Sequence, residues 1–154
     1  MNPTTLTRHL DVEPDAALRT IVDVHTLPSW NKAITRVLDA PATLTVGDEW
    51  VVELSALGQT WSSRSRLIAI DRDARCFSYR SATDDGNPSY AEWTWTAAEA
   101  PGGCEVTVTW TLNPQTFWRR ALLGRVRQHQ LIKTEVPTSL VALQAAVEAA
   151  VTRG

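Results

Sequence analysis

The sequence is poor in cysteine, has no glycine-rich loop and no long apolar run, and each shortage closes off a class of protein. Cys76 and Cys104 are too few and too far apart for a disulfide framework or a zinc site, and each reads as a buried thiol in a strand. The three histidines, His9, His25 and His129, are scattered along the chain, so no metal and no other cofactor is expected. No segment approaches the roughly 20 apolar residues of a membrane span, and MNPTTLTRHLDVEP has no apolar run of the signal-peptide kind. Stable membrane insertion is therefore not expected, and the expected address is cytoplasmic. With a net charge of -2 the chain lacks the excess of Lys and Arg that nucleic acid calls for, which removes that partner class. Nor is there a GxSxG, HExxH, P-loop or GxGxxG pattern, so the common hydrolase, zinc-protease and nucleotide-binding classes have no support.

What is present fits one domain spanning residues 1–154, large enough to bury a core. TTLTRHLDV predicts a short strand, and EPDAALRTIVDV a helix with Pro14 in its first turn and Asp15 complementing the helix dipole. HTLPSWN, with a proline and an asparagine around Trp30, suits a one-turn helix or tight loop. Strand-like runs follow: ITRVLDA, EWVVELSAL, QTWSSRSRLIAI, RCFSYRS, SYAEWTWTA and CEVTVTWTL. VGD, LGQ, DRDA, DDGNP and APGG separate them at spacings that suit an antiparallel meander.

From Gln115 to about Val151 the period becomes 3.6, with Trp118, Leu122, Val126, His129, Ile132, Val136, Leu140, Leu143 and Val147 on one stripe. This predicts a long C-terminal helix, broken or kinked at Pro137, with Gly124 a second weak point. Arg119, Arg120, Arg125 and Arg127 spread over more than one face of it and read as solvated charge.

The order of strand, two short helices, meander and long C-terminal helix resembles the helix-grip α+β fold of the START and pollen-allergen superfamily. In LPSWNKAITRV, VGDEWVVEL and QLIKTEVPTSLVAL the chain resembles, more narrowly, the polyketide cyclase/dehydrase and lipid-transport branch known as SRPBCC. The resemblance implies a curved antiparallel sheet of about seven strands wrapped around the C-terminal helix, with a cavity between them for an apolar or amphipathic ligand.

Alternation then says which residues would line such a cavity, because side chains at i and i+2 share a strand face. Trp50, Val52 and Leu54 form one inward set, Phe77 and Tyr79 another, Ala91, Trp93, Trp95 and Ala97 a third, and Val106, Val108, Trp110 and Leu112 a fourth. On the strand from Thr60 to Ile70, inward Trp61 and Leu67 bring Ser63 and Ser65 inward and send Arg64 and Arg66 to solvent. Small hydroxyls among large aromatics imply a hollow, since a close-packed interior would fill that volume. The candidate ligand-binding residues are Trp50, Trp61, Ser63, Ser65, Phe77, Tyr79, Trp93, Trp95 and Trp110 from the sheet, with Trp118, Leu122, Val126 and His129 from the helix.

In aromatase/cyclase members of the family the inward strand face reads Trp-x-Ser-x-Arg; here Trp61-x-Ser63-x-Ser65 keeps two positions and lacks the arginine. The expected function is binding of a small hydrophobic or aromatic, lipid- or polyketide-like molecule. A cyclase, aromatase or dehydrase-like enzyme is one alternative, and a protein-interaction domain with a filled core is another. Neither the ligand nor the oligomeric state is legible in the residues.

Overall fold

Alternating sequence becomes seven antiparallel strands in the computed structural model, which describes residues 1–56, 58–116 and 123–153. The strands are β1 Thr4–Leu10, β2 Ile34–Asp39, β3 Glu49–Ala56, β4 Gln59–Asp71, β5 Cys76–Thr83, β6 Tyr90–Ala100 and β7 Gly103–Asn113. They pair in the order β1-β7-β6-β5-β4-β3-β2, so β2 to β7 form a meander and the first strand closes against the last. That closure needs glycine at one point. A Cβ on Gly103 would lie 2.0 Å from the Leu10 carbonyl oxygen, and the preceding Gly102 turns the chain at φ +79.

Between β1 and β2 lie α1 (Pro14–Val22), a 3-10 turn (Val24–Thr26) and α2 (Leu27–Trp30). Pro14 starts α1, where its missing N–H costs nothing, and Ala16, Ala17, Leu18 and Ile21 bury the inner face. Trp30 is 1% exposed, and its indole N–H donates to Thr26 Oγ1 at 3.1 Å. Cys104 is buried on the concave face of β7, whereas Cys76 is only half-buried, which corrects the expectation of two buried thiols. The reason is pleat: Cys76 is next to inward Phe77 and so points to the other face.

The C-terminal helix consists of α3 (Gly124–Gln130), a π turn (Leu131–Glu135) and α4 (Val136–Arg153). It does not reach back to Gln115. Gln115 and Thr116 are non-helical, and the Gln115 amide is taken by Ser89 Oγ at 2.8 Å. Trp118, Leu122, Arg119 and Arg120 lie outside the described residues. The interruption expected at Pro137 takes the form of the π turn just before it. Proline has no N–H to give and its ring crowds the carbonyl four residues back, and a wider turn absorbs both without ending the helix.

The π turn also shifts the phase of the apolar stripe. Beyond it Val136, Leu140, Leu143 and Val147 are buried as the periodicity requires. Leu131 at its start is buried, and before it Arg127 and Gln128 are half-buried, while Val126 is 40% exposed and His129 is also exposed. Val126 and His129 were expected to face inward; the extra residue in the π turn rotates them out.

Candidate functional site

Strand register places the aromatic side chains. β3 and β4 pair Trp50 with Ser65, Val52 with Ser63 and Leu54 with Trp61, and β4 and β5 pair Ser65 with Ser81, Ser63 with Thr83 and Leu67 with Tyr79. Phe77 then stands opposite Trp95, Tyr79 opposite Trp93, and Trp93 opposite Trp110. Directly paired residues share a face, so this whole set lines the concave side. Ser63 and Ser65 are buried, whereas Arg64 and Arg66 are exposed, with Arg64 Nε 3.0 Å from Asp84 Oδ1 on the outside. The orientation expected from alternation holds across the sheet.

The rings form a continuous ladder. Trp50 stacks on Phe77 at 6.1 Å and meets Tyr79 edge-on at 5.2 Å; Tyr79 stacks on Trp93 at 6.4 Å, and Trp93 on Trp110 at 5.5 Å. Trp30 adds its edge to Trp95 at 5.4 Å from α2. Offset and edge-to-face contacts of this kind suit the ring quadrupoles and hold the wall rigid.

Beside the ladder runs a trench of small residues: Ser63, Ser65, Ser81, Thr83 and Ala91. The Ser63 and Ser65 hydroxyls make no hydrogen bond among the described residues, yet no buried side-chain nitrogen or oxygen there lacks a partner. Both statements hold only if these hydroxyls border space that water can reach. Trp61, Tyr79 and Trp93 face the same side without being fully covered. These residues lie together on the concave face of the sheet.

Tyr79 brings a phenol to the same face. Burial pushes the phenol up to about 12, against a smaller opposing effect from the Trp95 N–H, which donates to Tyr79 Oη at 3.4 Å. At neutral pH the group is a protonated phenol that can give a hydrogen bond.

The helix adds a charged pair and two side-chain ties. Trp110 N–H donates to Gln128 Oε1 at 2.9 Å and Gln128 Nε2 donates to Thr4 Oγ1 at 2.5 Å, which ties α3 across β7 to β1. Arg127 makes a two-pronged ion pair with Glu135, its Nη2 donating to Oε1 at 2.9 Å and its Nη1 to Oε2, and Nη1 also donates to Gln130 Oε1 at 3.1 Å. The guanidinium carbon lies 5.7 Å from the centre of the Trp61 ring. Arg127 was expected on a solvated face with the other arginines; its side chain is 22% exposed and that of Glu135 only 9%. A carboxylate that buried is held by its cation, and the pairing draws the arginine in.

Of the candidate residues, Trp50, Phe77, Trp95 and Trp110 are buried on the concave face, Ser63 and Ser65 are buried beside them, and Trp61, Tyr79 and Trp93 are partly covered on the same face. Val126 does not join them. His129 instead lines an outer groove of about 470 Å³ with residues 1–4, Arg125, Gln128 and Ile132. Trp118 and Leu122 fall outside the described residues. Sequence reasoning missed Trp30, Arg127 and Glu135. No local spacing rule signals the pair, because charges eight apart point about 80° from each other on a regular α-helix. Among the described residues no group of three or more His, Cys, Asp or Glu could hold a metal ion, and no helix is long and apolar enough to cross a membrane.

Residues 1–148 match the family described as polyketide cyclase/dehydrase and lipid transport. No curated protein matches the chain. Among solved structures it is similar to a protein from Chromobacterium violaceum, at 23% identity and TM-score 0.73 over 96% of this chain and 97% of that one. It is similar also to Ara h 8.0201, at 18% identity and TM-score 0.71 over 96% and 98%. The di-domain ARO/CYC StfQ from the steffimycin biosynthetic pathway matches at 10% identity and TM-score 0.75, over 97% of this chain and 51% of that one. At such identities the likeness shows the fold, which is the helix-grip fold.

Proposed function

Because the chain belongs to the polyketide cyclase/dehydrase and lipid-transport family, we propose that it binds a small, flat hydrophobic or aromatic molecule in the hollow between the sheet and the C-terminal helix. The observation that carries this reading is the pair of serine hydroxyls without hydrogen-bond partners among the described residues, beneath a rigid aromatic ladder. Apolar walls with a few fixed polar groups are the usual make-up of a small-molecule site. The ladder supplies apolar contact at little cost in side-chain entropy, and Ser63, Ser65 and Tyr79 supply orientation.

Tryptophan fluorescence tests it directly, since Trp61, Trp93 and Trp110 stand on the concave face of the sheet. Flat hydrophobic compounds should quench the emission saturably and be recovered unchanged. Ser65→Trp should abolish the quenching while the near-UV circular dichroism shows an intact fold. Unchanged quenching in that variant would place the ligand elsewhere.

Arg127 favours a second reading, in which the protein acts on a poly-ketone. Cyclisation develops enolate charge that a fixed cation stabilises, and Arg127 brings from the helix a cation that Ser65 does not offer on the strand. Glu135 already neutralises that cation, which is why binding without turnover is the first reading. Conversion of a poly-ketone that is lost in both Tyr79→Phe and Arg127→Met would establish the second.

A further inference from the structure

We propose that the Arg127–Glu135 ion pair is the polar anchor of the hollow and that it selects ligands bearing an uncharged carbonyl over ligands bearing a free carboxylate. The inference rests on the ligand-binding reading above and names the class of ligand the same site takes.

Position comes first. Arg127 stands over Trp61, and Trp61 shares its strand face with Ser63 and Ser65, so the guanidinium lies on the concave side of the sheet, at the Trp61 end of the face that carries the two serines. Donor supply comes next. A guanidinium has five N–H groups. Glu135 and Gln130 accept from the two terminal nitrogens, and Nε makes no hydrogen bond with a described residue. A ligand oxygen can therefore accept a hydrogen bond from Arg127 while the ion pair stays whole.

Charge then decides which oxygen. The guanidinium and the carboxylate cancel, and Glu135 is too buried for water to hydrate it separately. A ketone or quinone oxygen carries no net charge into the hollow, gives up little hydration, and gains a hydrogen bond from a charged donor. A carboxylate must shed its hydration and meets a cation already matched by Glu135, so its desolvation is not offset. The π turn makes this arrangement possible, since without its extra residue Arg127 and Glu135 would not share a face of the helix.

The test is calorimetric titration of the full chain at neutral pH with 2-acetylnaphthalene and 2-naphthoate, which differ only in a methyl group against a charged oxygen. The wild type should bind the ketone about tenfold or more tightly than the carboxylate. Glu135→Gln keeps the volume and unmasks Arg127, so 2-naphthoate should gain about tenfold while the ketone changes by less than about threefold. If that variant fails to fold, the uncharged double variant Arg127→Gln, Glu135→Gln should fold and bind the ketone about tenfold more weakly than the wild type. Equal affinities in the wild type, tighter binding of the carboxylate, or an unchanged ratio in Glu135→Gln would overturn the inference and leave the binding site standing. If the wild type binds neither probe, the ligand-binding reading falls and takes the inference with it.

Discussion

Replacing Ser65 by valine separates a hollow interior from a filled one by the sign of its effect on stability. Ser65 is 4% exposed and lies on the concave face between Trp50 on one side and Ser81 on the other. Valine exchanges a hydroxyl that has no hydrogen-bond partner among the described residues for two methyl groups, on a strand whose backbone suits a β-branched residue. If the space beside it is empty, the methyl groups bury against the aromatic wall at about 0.8 kcal/mol each. Displacing water from the hydroxyl's surroundings takes part of this back, leaving a gain of about 1 kcal/mol, or roughly 2–4 °C in Tm for a domain of this size. If the interior is close-packed, the same methyl groups overfill it and cost about 1–3 kcal/mol. Urea unfolding followed by far-UV circular dichroism reads the difference. A raised midpoint with weaker ligand quenching is the expected result. A midpoint lowered by the overpacking amount would refute the hollow and favour a filled core serving a protein partner.

Three further predictions concern the wall and its surroundings. Trp110→Phe leaves a void of roughly 40 Å³ in a fully buried site, worth about 1 kcal/mol, and removes the hydrogen bond to Gln128, worth about 1 kcal/mol more; a loss below about 1 kcal/mol in urea unfolding would contradict the packing described. The Tyr79 phenol, raised to about 12 by burial, favours the folded state below its unfolded value near 10, a contribution lost as pH rises from there towards 12. Ultraviolet difference spectra should accordingly show the same tyrosine ionisation below pH 11 in the wild type and in Tyr79→Phe, and a smaller signal in the variant at that pH would count against the buried phenol. Arg64→Ala, on the convex face, should leave both the quenching and the urea midpoint unchanged, because its ion pairs with Asp84 and Glu49 are exposed and screened; loss of quenching would mean that the register is wrong.

Much of the concave face was legible because strand periodicity is an integer. A period of two leaves only two choices of face for β3 to β7, and the chain marks the inner one with Trp50, Trp61, Phe77, Trp93, Trp95 and Trp110. The turn residues between strands then limit the topology to a meander, and the family resemblance places the helix. Ser63 and Ser65 followed from the same alternation, which sets them on the concave face beside Trp61.

Helical phase was not determined in this way. Residues eight apart on an α-helix point about 80° away from each other, so Arg127 and Glu135 did not read as a pair, and extending the stripe back from Val136 put Val126 and His129 on the wrong side. One π turn ahead of Pro137 supplies the correction, and nothing local dictates that the strain of a proline is relieved by widening the preceding turn instead of ending the helix. That choice depends on what the helix packs against: Leu131 and Leu143 in the core, Gln128 bonded to Trp110 and Thr4, and Glu135 paired beside Trp61. The sequence by itself determined the strands, their faces and the aromatic wall, because these follow from alternation and turns. Tertiary structure decided which helical side chains meet that wall, because a helix can rotate about its axis until contacts distant in sequence stop it.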